Sequence, residues 1–185
     1  MPITELVILE LVSPHTFDSP LLAKALAAFT AQQSQYSAHP LTFYRDTTSS
    51  SRFYLVTGWH NEVALSLWRE QVLSKHKQMD EFLVVQDRLY LDMNFDTIPN
   101  NGQGIFCVTR HTVRMDNEAS EEEEGVGTVE QGGRVHWMGG GMSREQNAAW
   151  HQFIQYVEGT SEDTIRKQHR KNTVYLMRRI SIPKH

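Results

Sequence analysis

The chain holds one cysteine among its 185 residues, no long apolar run and no excess of positive charge. A single thiol, Cys107, excludes an intrachain disulfide framework, a zinc finger or a CxxC redox pair, and fits a reducing compartment. Nowhere do the roughly 18 consecutive apolar residues of a membrane-spanning helix occur. The apolar run Leu6 to Leu9 is too short for a signal peptide. A soluble, cytoplasmic protein is the expectation. Eighteen Lys and Arg against 22 Asp and Glu give a formal charge of −4, which disfavours nucleic acid and anionic membranes as partners. The nine histidines form no HExxH or HxH pattern and no helical ligand set, so no metal is expected. P-loop, GxSxG and Cys-His signatures are missing as well.

What is present is a globular composition with 39% hydrophobic and 22% charged residues. Thr4 to Val12 reads as a strand covered on both faces. Asp18-Ser19-Pro20 opens a helix through about Gln35, with Leu21, Leu22, Ala25, Leu26 and Phe29 at helical spacing. Leu41 to Arg45 and Arg52 to Trp59 form a hairpin. Asn61 caps a second helix with Val63, Leu67 and Val72 or Leu73 on one stripe, broken near His76 and resumed at Met79, Phe82 and Leu83; Arg88 to Phe95 returns as a strand. The order βαββαβ predicts a ferredoxin-like α+β unit over residues 1–100, an antiparallel sheet with both helices on one face. The other face needs a cover, and a second sheet of the same kind is the simplest one.

Residues 101–185 are read as that second, degenerate α/β unit. Gly104 to Val113 and Thr173 to Ile182 are predicted strands, and Ser143-Arg144-Glu145-Gln146 reads as a capping box opening a helix through Trp150, Phe153, Ile154 and Val157. The Asn61–Trp68 and Ser143–Trp150 intervals match, with Pro99 and Pro183 following, which suggests a weak internal repeat. An acidic loop over residues 115–125 stands where a counterpart of the first helix would be. Gly139-Gly140-Gly141 is read as a flexible connection. Such a chain packs as a dimeric or pseudo-dimeric barrel, and a homodimer is expected.

The strand Arg52 to Trp59, the helix from Asn61, the Ser74-Lys75-His76 break and the strand running to Thr97-Ile98-Pro99 together resemble the dimeric α/β-barrel superfamily. That superfamily includes the antibiotic-biosynthesis monooxygenases and olivetolic acid cyclase-like enzymes. The resemblance covers about the first 100 residues. It implies a ligand pocket inside one unit, between sheet and helices, and a working histidine after the helix break, where His76 stands. In the cyclase a tyrosine slightly upstream assists. Trp68 to Lys75 has no tyrosine, so the partner would be Tyr44, Tyr54 or Tyr90. Glu5 stands nearest the place of a strand-one histidine.

Imidazole suits proton removal α to a carbonyl, because it accepts and returns a proton near neutrality. His76 and Tyr54 are therefore the catalytic candidates. Trp68, Tyr44, Trp59, His60, Tyr90 and Glu5 are the substrate-binding ones, with Tyr54 and Trp68 preferred for the helix-covered face. Trp150 is expected in the core and His151 at the surface of their helix; His111 and His136 are read as structural. The expected function is a cofactor-independent enzyme of secondary metabolism acting on a small aromatic, polyketide-like substrate as a cyclase, lyase or isomerase. The alternatives are a cofactor-free quinone-forming monooxygenase and a non-catalytic ligand-binding barrel.

Overall fold

The computed structural model describes residues 1–72, 77–99, 104–112, 134–144 and 149–180. Its first half contains β1 (Ile3–Leu11), α1 (Pro20–Ser37), β2 (Thr42–Asp46), β3 (Arg52–Trp59), α2 (Glu62–Gln71) and β4 (Leu83–Leu91). The second half contains β5 (Ile105–Thr112), β6 (Val135–Met142), β7 (Ala149–Tyr156), α3 (Glu162–Gln168) and β8 (Thr173–Ile180). Among the described residues the eight strands form one antiparallel sheet in the order β4-β1-β3-β2-β8-β5-β7-β6. The sequence 4-1-3-2 occurs twice, the second time as 8-5-7-6, and this is the strand order of a ferredoxin-like sheet repeated within one chain.

The sheet curls on itself. One core cluster takes a residue from every strand: Ile8, Tyr44, Val56, Leu89, Phe106, Phe153 and Met177, with Trp137 packed against them. The two ends of the sheet meet where Leu91 bridges Ser143, where the Asp92 N–H donates to the Met142 carbonyl at 2.9 Å and where the Arg144 N–H donates to the Tyr90 carbonyl at 2.9 Å. Arg144 also pairs with Asp92 at 2.6 Å and Glu62 at 2.8 Å. The face left bare by one half is thus covered by the other, as the sequence leads one to expect, and the result is an α/β barrel closed within one chain.

α1 begins at Ser19 with Pro20 in its first turn and ends at Ala38 in the left-handed region. The Asn61 side chain accepts from the Ala64 N–H at 3.0 Å and fixes the start of α2. The buried stripe of α2 is Leu65, Trp68 and Val72, while Val63 and Leu67 face solvent. Val72 is buried as expected, whereas Val63 and Leu67 give way to Leu65 and Trp68. Lys77–Glu81 form a 3-10 turn rather than a resumed α-helix, and β4 starts at Leu83, earlier than Arg88.

The second half departs further. The residues expected as a helix after Ser143 form strand β7, and Gly139-Gly140-Gly141 belong to strand β6. Alternation explains both: Phe153 faces the barrel interior while Ile154 and Tyr156 face the core beneath α3. The helical counterpart of α2 is α3, where the Ser161 hydroxyl accepts from the Thr164 N–H at 3.1 Å. The repeat is therefore Asn61 with Ser161, and the matching tryptophan spacings are coincidental. As a consequence His151 is 1% exposed and Trp150 39% exposed, the opposite of the helical assignment. Residues 115–125, Glu145 and Gln146 lie outside the described residues.

Candidate functional site

β1 is covered on both faces because the barrel interior lies on one side and α1 and α2 on the other. Its residues Glu5, Val7 and Leu9 point to the helices. Between them and the helices is a cavity of about 180 Å³. Its apolar wall includes Leu26, Phe29, Leu55 and Trp68, and its polar atoms come from Glu5, Gln33, Thr57 and Arg88, with Asp80. Phe29 packs edge-on against Trp68 at 5.3 Å between centroids, and Trp59 lies 6.2 Å from Trp68.

Glu5 is 3% exposed. Its Oε2 accepts from the Trp59 indole N–H at 2.9 Å, and its Oε1 lies 3.2 Å from the Arg88 guanidinium. Burial raises its pKa above the ordinary carboxylate value; Arg88, the Trp59 hydrogen bond, Arg69 and a Tyr90 hydrogen bond offset only part of that rise. Tyr90 pairs with Glu5 across the β1–β4 ladder. Its hydroxyl is buried beside Glu5 and Arg88, and burial followed by the Glu5 charge raises its pKa.

Gln33 extends the buried stripe of α1, four residues after Phe29. Its amide nitrogen donates to the Thr57 hydroxyl at 2.9 Å, and that hydroxyl faces the Pro40 carbonyl at 3.4 Å. The Gln33 carbonyl oxygen is buried with no partner among the described residues.

The internal repeat supplies a control. Aligned on the aromatic residues that end β3 and β7, Trp59 and Tyr156, the ladders superpose Glu5 on Cys107, Thr57 on Ile154, Tyr90 on Leu176 and Arg88 on Val174. The second half builds the same strands with Cys107, Ile154, Leu176 and Ile165 packed in one apolar cluster. Burial pushes the Cys107 thiol up to about 12, so it stays a neutral packing group. The fold does not require the acid, the hydroxyl or the guanidinium, yet the first half has all of them around one cavity.

Of the residues singled out from sequence, Glu5 and Trp68 line the cavity, and Trp59 and Tyr90 stand against Glu5. Tyr54 and Tyr44 do not. Both point into the barrel interior, separated from the cavity by the sheet, because they alternate with Phe53 and Phe43. The Tyr54 hydroxyl donates to Asp46, and burial followed by this bond raises its pKa. Burial would push the Asp46 carboxyl up, but hydrogen bonds from Tyr54, Thr48 and Ser49 hold it below its usual value. Burial pushes Tyr44 up to about 12. His60 lies away from the cavity, its ring 4.6 Å from that of His39, which in turn pairs with Asp96 at 3.2 Å. His76 lies outside the described residues. Sequence reasoning missed Gln33, Phe29, Thr57 and Arg88; a glutamine on the apolar stripe of α1 was the available signal.

Among the described residues no three His, Cys, Asp or Glu side chains converge as a metal site, and no helix is long and apolar enough to cross a membrane. Two ferredoxin-like halves closed around a shared interior define the dimeric α/β-barrel fold. Solved structures share it. A "Putative monooxygenase" from Fusobacterium nucleatum subsp. nucleatum ATCC 25586 superposes with a TM-score of 0.60 at 13% identity, covering 99% of this chain and 94% of that one. A "Putative Chlorite dismutase" superposes with a TM-score of 0.59 at 10% identity, covering 98% and 95%. No family model and no curated protein matches the chain. At such identities the likeness is one of fold.

Proposed function

We propose that the protein is a small-molecule enzyme that moves a proton within the cavity between the first-half sheet and its helices, with Glu5 as the proton-transfer group. The observation that carries this reading is a fully buried carboxyl, raised in basicity, in a cavity whose walls are otherwise mainly apolar. A carboxylate stripped of water is a stronger base than one in solvent, and Arg88 favours its ionised form against that desolvation. With a carbonyl substrate, Glu5 takes a proton from the adjacent carbon and the C–H electron pair passes to the carbonyl oxygen as an enolate. The negative charge leaves Glu5 and appears on the substrate, still beside Arg88, before the proton is returned. Cyclisation, elimination and isomerisation all begin with that step. The cavity volume suits one aromatic ring, since a cavity of about 150 Å³ accepts benzene. His76 is proposed on sequence grounds as a second proton carrier; Trp68 and Met79, on either side of it in the chain, both line the cavity.

The test uses phenylacetone in D2O and follows loss of its methylene proton signal by NMR, under air and under nitrogen. The protein should accelerate exchange in both atmospheres, and Glu5→Gln should slow it by about 10²-fold or more. Exchange at the buffer rate, or an unchanged rate in Glu5→Gln, overturns the reading.

A further inference from the structure

The Gln33 carbonyl oxygen has no counterpart in the packing logic of the fold. Gln33 is 1% exposed, sits on the apolar stripe of α1 and lines the cavity. Its orientation is set by its neighbours. The Thr57 hydroxyl faces the Pro40 carbonyl, an acceptor, so Thr57 donates there and takes its own hydrogen bond from the Gln33 NH2 group. Flipping the amide would draw the Thr57 proton to the Gln33 oxygen and leave the Pro40 carbonyl without it. The carbonyl oxygen is buried beside the cavity with no donor among the described residues. A buried acceptor without a donor costs more than the bond would contribute if made, so an unpartnered oxygen beside a cavity calls for a donor there, from a ligand or a water.

We infer that Gln33 is a specificity-determining residue: its carbonyl selects a neutral, one-ring ligand carrying an O–H or N–H donor. This rests on the cavity being the ligand site of the proposed enzyme and narrows what that site takes. The other polar groups point the same way. Among the described residues the one cation on the cavity wall, Arg88, faces the Glu5 carboxylate, and Asp80 adds a second acid. An anionic ligand would meet two carboxyl groups and a carbonyl oxygen, with the guanidinium already engaged. An ether or hydrocarbon of the same shape would fill the apolar wall and leave the Gln33 oxygen desolvated and unpaired.

The experiment measures the binding of phenol, anisole, toluene and benzoate to the full-length protein by NMR titration at pH 7, where phenol is neutral. Phenol should bind about tenfold more tightly than anisole or toluene, and benzoate should show no saturable binding. In Gln33→Met, which keeps the length of the side chain and removes the acceptor, toluene affinity should hold while the preference for phenol falls to near unity. Equal affinities for phenol and anisole in the unmodified protein overturn the inference without recourse to a variant. So does a phenol preference that survives in Gln33→Met, or benzoate binding as tightly as phenol. Binding of the ring compounds without donor preference leaves the proton-transfer reading standing. Failure of every probe to bind removes both.

Discussion

Burial strips Glu5 of water and sets one guanidinium and one indole N–H against that loss, and the balance falls on the side of a raised pKa. A carboxyl whose folded pKa exceeds its unfolded value of about 4.5 binds its proton more tightly in the folded state. Its stabilising contribution is full below the unfolded value and declines as pH rises through the folded one. Glu5→Gln cannot ionise and should lose that decline, so calorimetric melting from pH 4.5 upward should show the variant gaining on the unmodified protein as pH increases. Arg88 acts in the opposite direction by lowering the Glu5 pKa. Arg88→Met should therefore shift the acid limb of the rate profile for phenylacetone exchange to higher pH, because the ionised acid appears later in the titration. Residue types were readable from sequence at this scale, but facing was not. Tyr54 and Trp68 were equally plausible pocket residues, and only strand parity and the turn of α2 separate them.

Helix starts in both halves are governed by local chemistry. Asn61 and Ser161 each satisfy an N–H in the first turn of their helix. Asn61→Ala and Ser161→Ala should each lower the unfolding free energy by about 1 kcal/mol in urea denaturation. Gly58, on the interior side of β3, lies so close to the turn after β4 that an added Cβ would sit 2.5 Å from Phe95 Cβ. Gly58→Ala should cost about 1–3 kcal/mol, the usual range for overpacking, in the same assay. The hairpin β2–β3 and the helix α1 were legible because turn clusters, caps and apolar spacing agree. The segment after Ser143 was misread because Trp150, Phe153, Ile154 and Val157 satisfy a helical stripe, whereas the burial that counts is the alternation of Phe153 with Ile154 and Tyr156 on two sheet faces.

The whole molecule is one closed sheet, and its interior is shared. Tyr44 from the first half lies 5.2 Å from Phe106 of the second, centroid to centroid, and Phe153 belongs to the same cluster as Leu6 and Leu91. Phe153→Ala should destabilise the entire chain by about 3–5 kcal/mol. Hydrogen exchange should show the loss in β1 and β3 as well as in β7, since neither half can keep its interior face dry alone.

Composition, capping residues and apolar spacing were sufficient by themselves to determine the βαββαβ order of the first half and the need for a cover on its bare face. They are local properties, carried by residues three or four apart or by alternation along one strand. Which segment provides the cover, that the repeat runs from Asn61 to Ser161, and that Glu5, Gln33, Thr57 and Arg88 surround one cavity were decided by the tertiary structure. Strand pairing joins residues up to about 140 positions apart, as Phe43 with Ile180, and a site built from such pairings leaves no periodic trace in the chain.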